Sequence, residues 1–129
     1  MSRRFIIVDD DPINNMLCKH IIKKNIKDSE VKSFEFPDQA LSFISSEYIV
    51  NNQPQPTILL LDINMPEING WEFLEKFAAM SEYIHSQFTI YIVSSSVDSI
   101  DQKKAGENKF VKKFLSKPLN KEALEATAC

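Results

Sequence analysis

The sequence predicts an α/β domain built on an open, parallel five-stranded sheet with helices on both faces. Three observations lead there. Apolar runs at 4–8, 31–36, 57–61, 88–93 and 110–115 alternate with helical patterns near 12–26, 38–49, 70–85, 97–107 and 120–127. Such alternation reads as right-handed crossover units on a parallel sheet. The runs at 5–8, 58–61 and 88–93 are almost continuously apolar, as strands covered on both faces must be. The runs at 31–36 and 110–115 carry charges and belong at the edges. Strands 1, 3 and 4 inside with 2 and 5 outside give the order 2-1-3-4-5, a doubly wound sheet with five helices.

Each element has local support. The first strand, Phe5-Ile6-Ile7-Val8, runs into Asp9-Asp10-Asp11. Asp11 can cap the first helix, and Pro12 suits its first position. Ile13, Leu17 and Ile21 recur every four residues along one face of that helix. Lys23, Lys24 and Lys27 sit near its end, where cations complement the dipole and face solvent. The segment 50–56, Val-Asn-Asn-Gln-Pro-Gln-Pro, is a polar connection within the domain. The third strand, Ile58-Leu59-Leu60-Leu61, ends on Asp62. The helix after Gly70 carries Phe73, Leu74, Phe77, Met80 and Ile84 at helical spacing, a stripe that reads as core. The fourth run ends at Ser94-Ser95-Ser96 and the fifth at Ser116-Lys117-Pro118.

Bulk properties narrow the functional classes. A chain of 129 residues fits one domain spanning 1–129, and 43% hydrophobic content supports a full core. A net charge of −3 argues against nucleic acid as the main partner, since phosphate binding needs a basic surface. No apolar run reaches membrane-spanning length and no signal-peptide pattern follows Met1, so a cytoplasmic location is expected. Cys18 and Cys129 show no metal or disulfide spacing and read as two free thiols. With two glycines in all, Gly70 and Gly106, there is no Gly-rich phosphate cradle for a flavin or nucleotide.

The strand ends are where chemistry is expected, because open parallel sheets bind ligands at the carboxyl ends of their strands, at the reversal of strand order. Here Asp9, Asp10 and Asp62 would converge. Two carboxylates about 4 Å apart repel by roughly 4 kcal/mol at an effective dielectric near 20. A hard divalent cation relieves that repulsion, and an all-oxygen site with few dedicated ligands suits magnesium. Asp62 is then either a ligand or a nucleophile that accepts a phosphoryl group. Group transfer would need a further cation and a hydroxyl, which Lys117 and Ser94 can supply. Taken singly, each motif has an ordinary reading: the acid triplet as a helix start, Ser94-Ser95-Ser96 as a polar turn, Lys117-Pro118 as a loop. Their arrival at successive strand ends, in the order acid, acid, hydroxyl, lysine, is what joins them.

These motifs resemble the receiver domain of two-component response regulators, the CheY-like family. Val8-Asp9-Asp10-Asp11-Pro12, Leu61-Asp62-Ile63-Asn64-Met65-Pro66, Gly70, Val93-Ser94-Ser95 and Ser116-Lys117-Pro118 match in order and spacing over essentially the full length. The resemblance implies a stand-alone, flavodoxin-like receiver. Asp62 would be the phosphoacceptor. Asp9, Asp10, Asp62 and the backbone carbonyl of Asn64 would hold Mg2+. Ser94, Ser95, Lys117 and Phe114 would bind the phosphoryl group or switch with it, and Asn64 and Ser96 would tune its lifetime. Ser94 stands where threonine is commoner, Ser95 where a small apolar residue is usual, and Phe114 where tyrosine is usual. With both tuning positions uncharged, a phosphoaspartate lasting minutes or longer is expected. The Lys117-Pro118 bond is expected to be cis.

The implied partners are a sensor histidine kinase or a histidine phosphotransfer protein as donor. A downstream protein would bind the face of the 97–107 helix, the 110–115 strand and the 120–127 helix, where Lys103, Lys104, Lys112 and Lys113 are expected to make the surface basic. No nucleic acid or membrane partner is expected, nor an enzymatic activity beyond self-phosphorylation and autodephosphorylation. His20 and His85 are not expected to carry phosphate. Two alternatives remain. An aspartyl-phosphate phosphatase or phosphotransferase would ordinarily carry Asp-x-Asp after its first strand and a cap domain. The other is a receiver-like interaction module that never takes phosphate, although every key group is present.

Overall fold

The computed structural model describes residues 3–49, 54–95 and 98–127. Its elements, in chain order, are β1 (Arg3–Val8), α1 (Pro12–Asn25), β2 (Ser29–Phe34), α2 (Pro37–Glu47), β3 (Thr57–Leu61), α3 (Gly70–Ala78), α4 (Glu82–His85), β4 (Phe88–Ser94), α5 (Ser99–Glu107), β5 (Val111–Ser116) and α6 (Lys121–Thr127). The strands form one parallel sheet in the order β2-β1-β3-β4-β5, as the distribution of charges among the strands predicts.

Period-two alternation divides the core into two layers. Ile6, Val8, Leu59, Leu61, Ile90 and Ile92 face the layer covered by α2, α3 and α4, which contribute Ile44, Phe73, Phe77 and Ile84. Phe5, Ile7, Leu60, Tyr91 and Val93 face the opposite layer, covered by Cys18 and Ile22 of α1 and Leu124 of α6. Both faces of the three inner strands are therefore buried, which accounts for their almost continuously apolar runs.

Two expectations are corrected. The helical pattern at 70–85 is two helices, so the sheet carries six helices instead of five. After Ala78 the chain turns through Ala79 and Met80, and Ser81 caps a new short helix by accepting from Ile84 N at 3.3 Å. The aromatic stripe still packs inward, because Phe73, Leu74, Phe77 and Ile84 are all buried. In α1 the apolar period names a helix face without giving its direction. The start of α1 is as expected, with Asp11 accepting from Ile13 N at 3.0 Å and Pro12 in the first turn. The Ile13–Leu17 stripe, however, faces out: Ile13 is 63% exposed and Leu17 57%. The buried face carries Asn15, Cys18 and Ile22. Asn15 Nδ2 donates to the carbonyl of Asp9 at 2.8 Å on the face where Cys18 and Ile22 pack into the core.

β2 also lies two residues earlier than expected, because Pro37 begins α2 and Phe36 occupies its N-cap. Residues 50–53 of the expected polar connection, Ser96 and Cys129 lie outside the described residues. Cys18 is a buried free thiol, pushed up to about 11 by burial and by the nearby Asp9.

Candidate functional site: an acid cluster and a lysine at the strand ends

Parallel pairing brings the C-terminal ends of β1 and β3 side by side, Val8 opposite Leu61. The next residue on each strand is an acid. The Asp62 amide still donates to the carbonyl of Val8 at 2.9 Å, so the sheet itself holds the start of the loop. Gly70 clamps that loop from α3. Its amide donates to Ile63 O at 2.9 Å, and a Cβ there would stand 2.7 Å from the carbonyl oxygen of Asp62. Only glycine permits so close an approach.

Asp9 and Asp62 are 2% and 5% exposed, whereas Asp10 is open to solvent. Carboxylate oxygens of the three lie within 4.8 Å of one another. Lys117 enters from the end of β5, with Nζ 2.8 Å from Asp9 Oδ2 and 3.5 Å from Asp62 Oδ1. A backbone bond from Lys117 N to Ser94 O at 3.0 Å ties its backbone to β4, and the Lys117-Pro118 peptide is cis, as expected.

One lysine does not balance three acids. Burial, reinforced by Asp9, pushes the Asp62 carboxyl up to about 6, against the opposing pull of Lys117 and a hydrogen bond from the Asn64 backbone. Burial works against the Lys117 charge, but hydrogen bonding and attraction from Asp9 and Asp62 outweigh it and hold that ammonium above its ordinary pKa. The donor set is oxygen only, anionic, partly open and in excess negative charge. That is the chemistry a hard divalent cation needs, and Asp9, Asp10 and Asp62 fit it.

The other expected site residues fall around this cluster. Ser94 is the last residue of β4, fully buried and paired in register with Ser116. Ser95 and Asn64 are exposed. Phe114 pairs with Ile92 and is half-buried against the core layer of α2 and α3. Lys103, Lys104, Lys112 and Lys113 are all exposed, but Lys103 lies 3.9 Å from Glu107 and Lys104 lies 5.8 Å from the Trp71 ring. His85 is a packing residue. It stacks between Phe77 and Phe110, with each ring centroid 4.8 Å away, and its Nε2 bonds Phe77 O at 2.7 Å.

Asn14 and Asn15 were not anticipated. Asn14 Nδ2 donates to Asp9 Oδ2 at 2.6 Å, and Asn15 holds the Asp9 carbonyl. A sequence signal does exist: Asn15 shares helical spacing with Cys18 and Ile22, so a polar residue falls on the face toward the sheet.

The sheet order therefore brings the acids after its first and third strands and the lysine after its fifth together at one carboxyl edge. Residues 5–128 match the response regulator receiver domain model, and the chain belongs to that family. Among solved structures, it superposes on a two-component response regulator from Cytophaga hutchinsonii with a TM-score of 0.88 and 31% identity, covering 98% of this chain and 94% of that one. A response regulator receiver protein from Dyadobacter fermentans DSM 18053 gives 0.85 and 27%, covering 98% of both chains. The response regulator Rcp1 of Synechocystis sp. is 22% identical over 74% of this chain. Its Mn(2+)-bound form superposes with a TM-score of 0.74 at 21% identity, over 98% of this chain and 89% of that one. The chain spans 65% of the length of Rcp1, and 14% and 19% of two larger curated relatives. Among the described residues, no helix is long and apolar enough to cross a membrane.

Proposed function

We propose that this chain is a phosphorylation-dependent switch that accepts a phosphoryl group on Asp62 and signals by binding another protein. The observation that carries the reading is the placement of Asp62: a buried strand-end carboxylate, 3.5 Å from Lys117 and clustered with Asp9 and Asp10. With a pKa of about 6, Asp62 is ionised and nucleophilic at neutral pH. The donor is a phosphohistidine on a sensor kinase or a phosphotransfer protein. The phosphorus–nitrogen bond breaks as an Asp62 oxygen bonds to phosphorus, and the imidazole leaves with the electron pair.

Mg2+, held by Asp9, Asp10, Asp62 and the Asn64 carbonyl, would neutralise charge on the acids and on the phosphoryl oxygens. Lys117 pairs with a phosphoryl oxygen once Asp62 carries the acyl phosphate, and the Ser94 hydroxyl donates to another. Those new bonds pull on the ends of β4 and β5, which shifts the populations of α5 and β5, with Phe114 turning inward. The exposed apolar residues Ile13, Met16 and Leu17 lie on the helix that begins just after Asp10, and they offer the donor a docking face beside the acceptor. The output face is α5, β5 and α6.

The test is incubation with acetyl phosphate or beryllofluoride and Mg2+, read by intact mass and by Trp71 fluorescence. Trp71 suits this because it follows Gly70, and its Nε1 donates to Asp101 of α5 at 3.2 Å. A magnesium-dependent adduct that disappears in Asp62→Asn supports the reading. No adduct, or one that survives in Asp62→Asn, rejects it.

A further inference from the structure

The first turn of α1 adds a contact to the acid cluster that the acceptor reading does not use. Asp9 Oδ2 accepts from both Lys117 Nζ, at 2.8 Å, and Asn14 Nδ2, at 2.6 Å. Asp9 Oδ1 accepts from the Asp11 amide at 2.9 Å. An ionised carboxylate offers about four lone-pair directions. Among the described residues both on Oδ2 are taken, as is one on Oδ1, so a single direction on Oδ1 remains. The Asp9 backbone is pinned as well, by the Asn15 amide on its carbonyl. Asn14 is not needed to cap α1, which Asp11 already does. Asparagine is also a poor helix former, so helix propensity does not account for it.

We propose that Asn14 is a positioning residue for the divalent cation: with Lys117 it occupies Asp9 Oδ2, leaving Oδ1 as the one oxygen of Asp9 able to face a cation or its water, and so sets the magnesium affinity of the cluster. The proposal rests on the magnesium reading above. Residues that orient a ligand in this way typically change metal affinity by about 10- to 100-fold.

The experiment is calorimetric titration of the intact chain with MgCl2, for the unaltered protein, Asn14→Leu, Asn14→Ala and Lys19→Ala. Leucine keeps the approximate shape without the amide, and alanine is a stronger helix former, so at least one variant retains the fold. The expected result is a magnesium Kd about tenfold weaker in both Asn14 variants. Lys19→Ala, on the exposed side of the same helix, is expected to stay within about twofold of the unaltered protein. In acetyl phosphate labelling, the Asn14 variants are expected to need correspondingly more Mg2+, yet to reach the unaltered rate at saturation. A merely structural role would lower that saturating rate and could not be rescued by the ion. Unchanged Kd values in both folded Asn14 variants overturn the proposal alone. No saturable binding by the unaltered chain overturns the magnesium reading and the proposal together.

Discussion

Asp62 is an acid held where water would otherwise stabilise its charge, and its stability effect follows from that. An unfolded aspartate titrates near 3.9, whereas the folded carboxyl titrates at about 6. From about pH 4 to pH 6 the unfolded chain has released this proton and the folded chain has not. Asp62 therefore makes stability fall as pH rises through that window, and its cost is fully present above pH 6. Asp62→Asn, measured by urea unfolding without Mg2+, is expected to be more stable than the unaltered protein by about 2 kcal/mol at pH 8. The gain is expected to vanish near pH 4. A gain independent of pH would mean that repacking, not charge, is responsible. The same scale governs the lifetime of the phosphoryl group. Asn64 is uncharged and exposed and cannot activate an attacking water, so the phosphoaspartate is expected to last minutes or longer with Mg2+, followed by intact mass. Decay within seconds would contradict this.

Among the elements, α3 acts on the site through backbone packing. Its N-terminus is fixed by a reciprocal capping box, in which Asn69 Oδ1 accepts from Glu72 N at 2.9 Å and Glu72 Oε1 accepts from Asn69 N at 3.0 Å. That cap presents Gly70 to the Asp62–Ile63 backbone. In Gly70→Ala the new methyl would meet backbone atoms at 2.7 and 2.9 Å, and neither can swing aside as a side chain could. We expect a loss of about 1–3 kcal/mol in thermal or urea unfolding, typical of overpacking. Acetyl phosphate labelling is expected to slow as well, because the displaced loop carries the acceptor. Asn69→Ala loses one cap, expected at about 1 kcal/mol, and is expected to leave labelling nearly unchanged.

On the scale of the whole molecule, the proposed acceptor site and the exposed apolar residues of α1 lie at the same end of the first crossover. Under the proposed function a donor protein would reach both, whereas a small phosphodonor would need only the site. Leu17→Glu is therefore expected to leave acetyl phosphate labelling within about twofold while slowing transfer from a phosphorylated donor by about tenfold or more, as loss of a buried interface anchor does. Equal slowing with both donors would place the defect in the site and remove α1 from the docking surface. Toward the other side, Trp71 bridges α3 to α5 through Asp101 and Lys104, so movement of α5 has a built-in optical report.

Much of this was legible in the chain itself. The uncharged, almost continuously apolar runs at 5–8, 58–61 and 88–93 and the charged runs at 31–36 and 110–115 determined the sheet order, because burial on two faces leaves no room for a charge. The same runs marked Asp9, Asp62, Ser94 and Lys117, since a polar residue ending an apolar strand stands at the sheet's carboxyl edge. Tertiary structure alone decided the rest. The helical pattern at 70–85 has one period throughout, so the break at Ala79–Met80 depends on where Ser81 can cap. The apolar period of α1 named a helix face but not its direction. Ile13 and Leu17 point outward because the competing face, Cys18 and Ile22 with Asn15 at the same spacing, packs on the sheet, where Asn15 is hydrogen-bonded to the Asp9 carbonyl. Asn14 reaches Asp9 within the first turn of α1, but Lys117 shares that oxygen only because residues 108 positions apart are folded together. Burial is a local demand that each residue states by its own chemistry, whereas the pairing of one polar atom with another depends on the closed geometry of the whole chain.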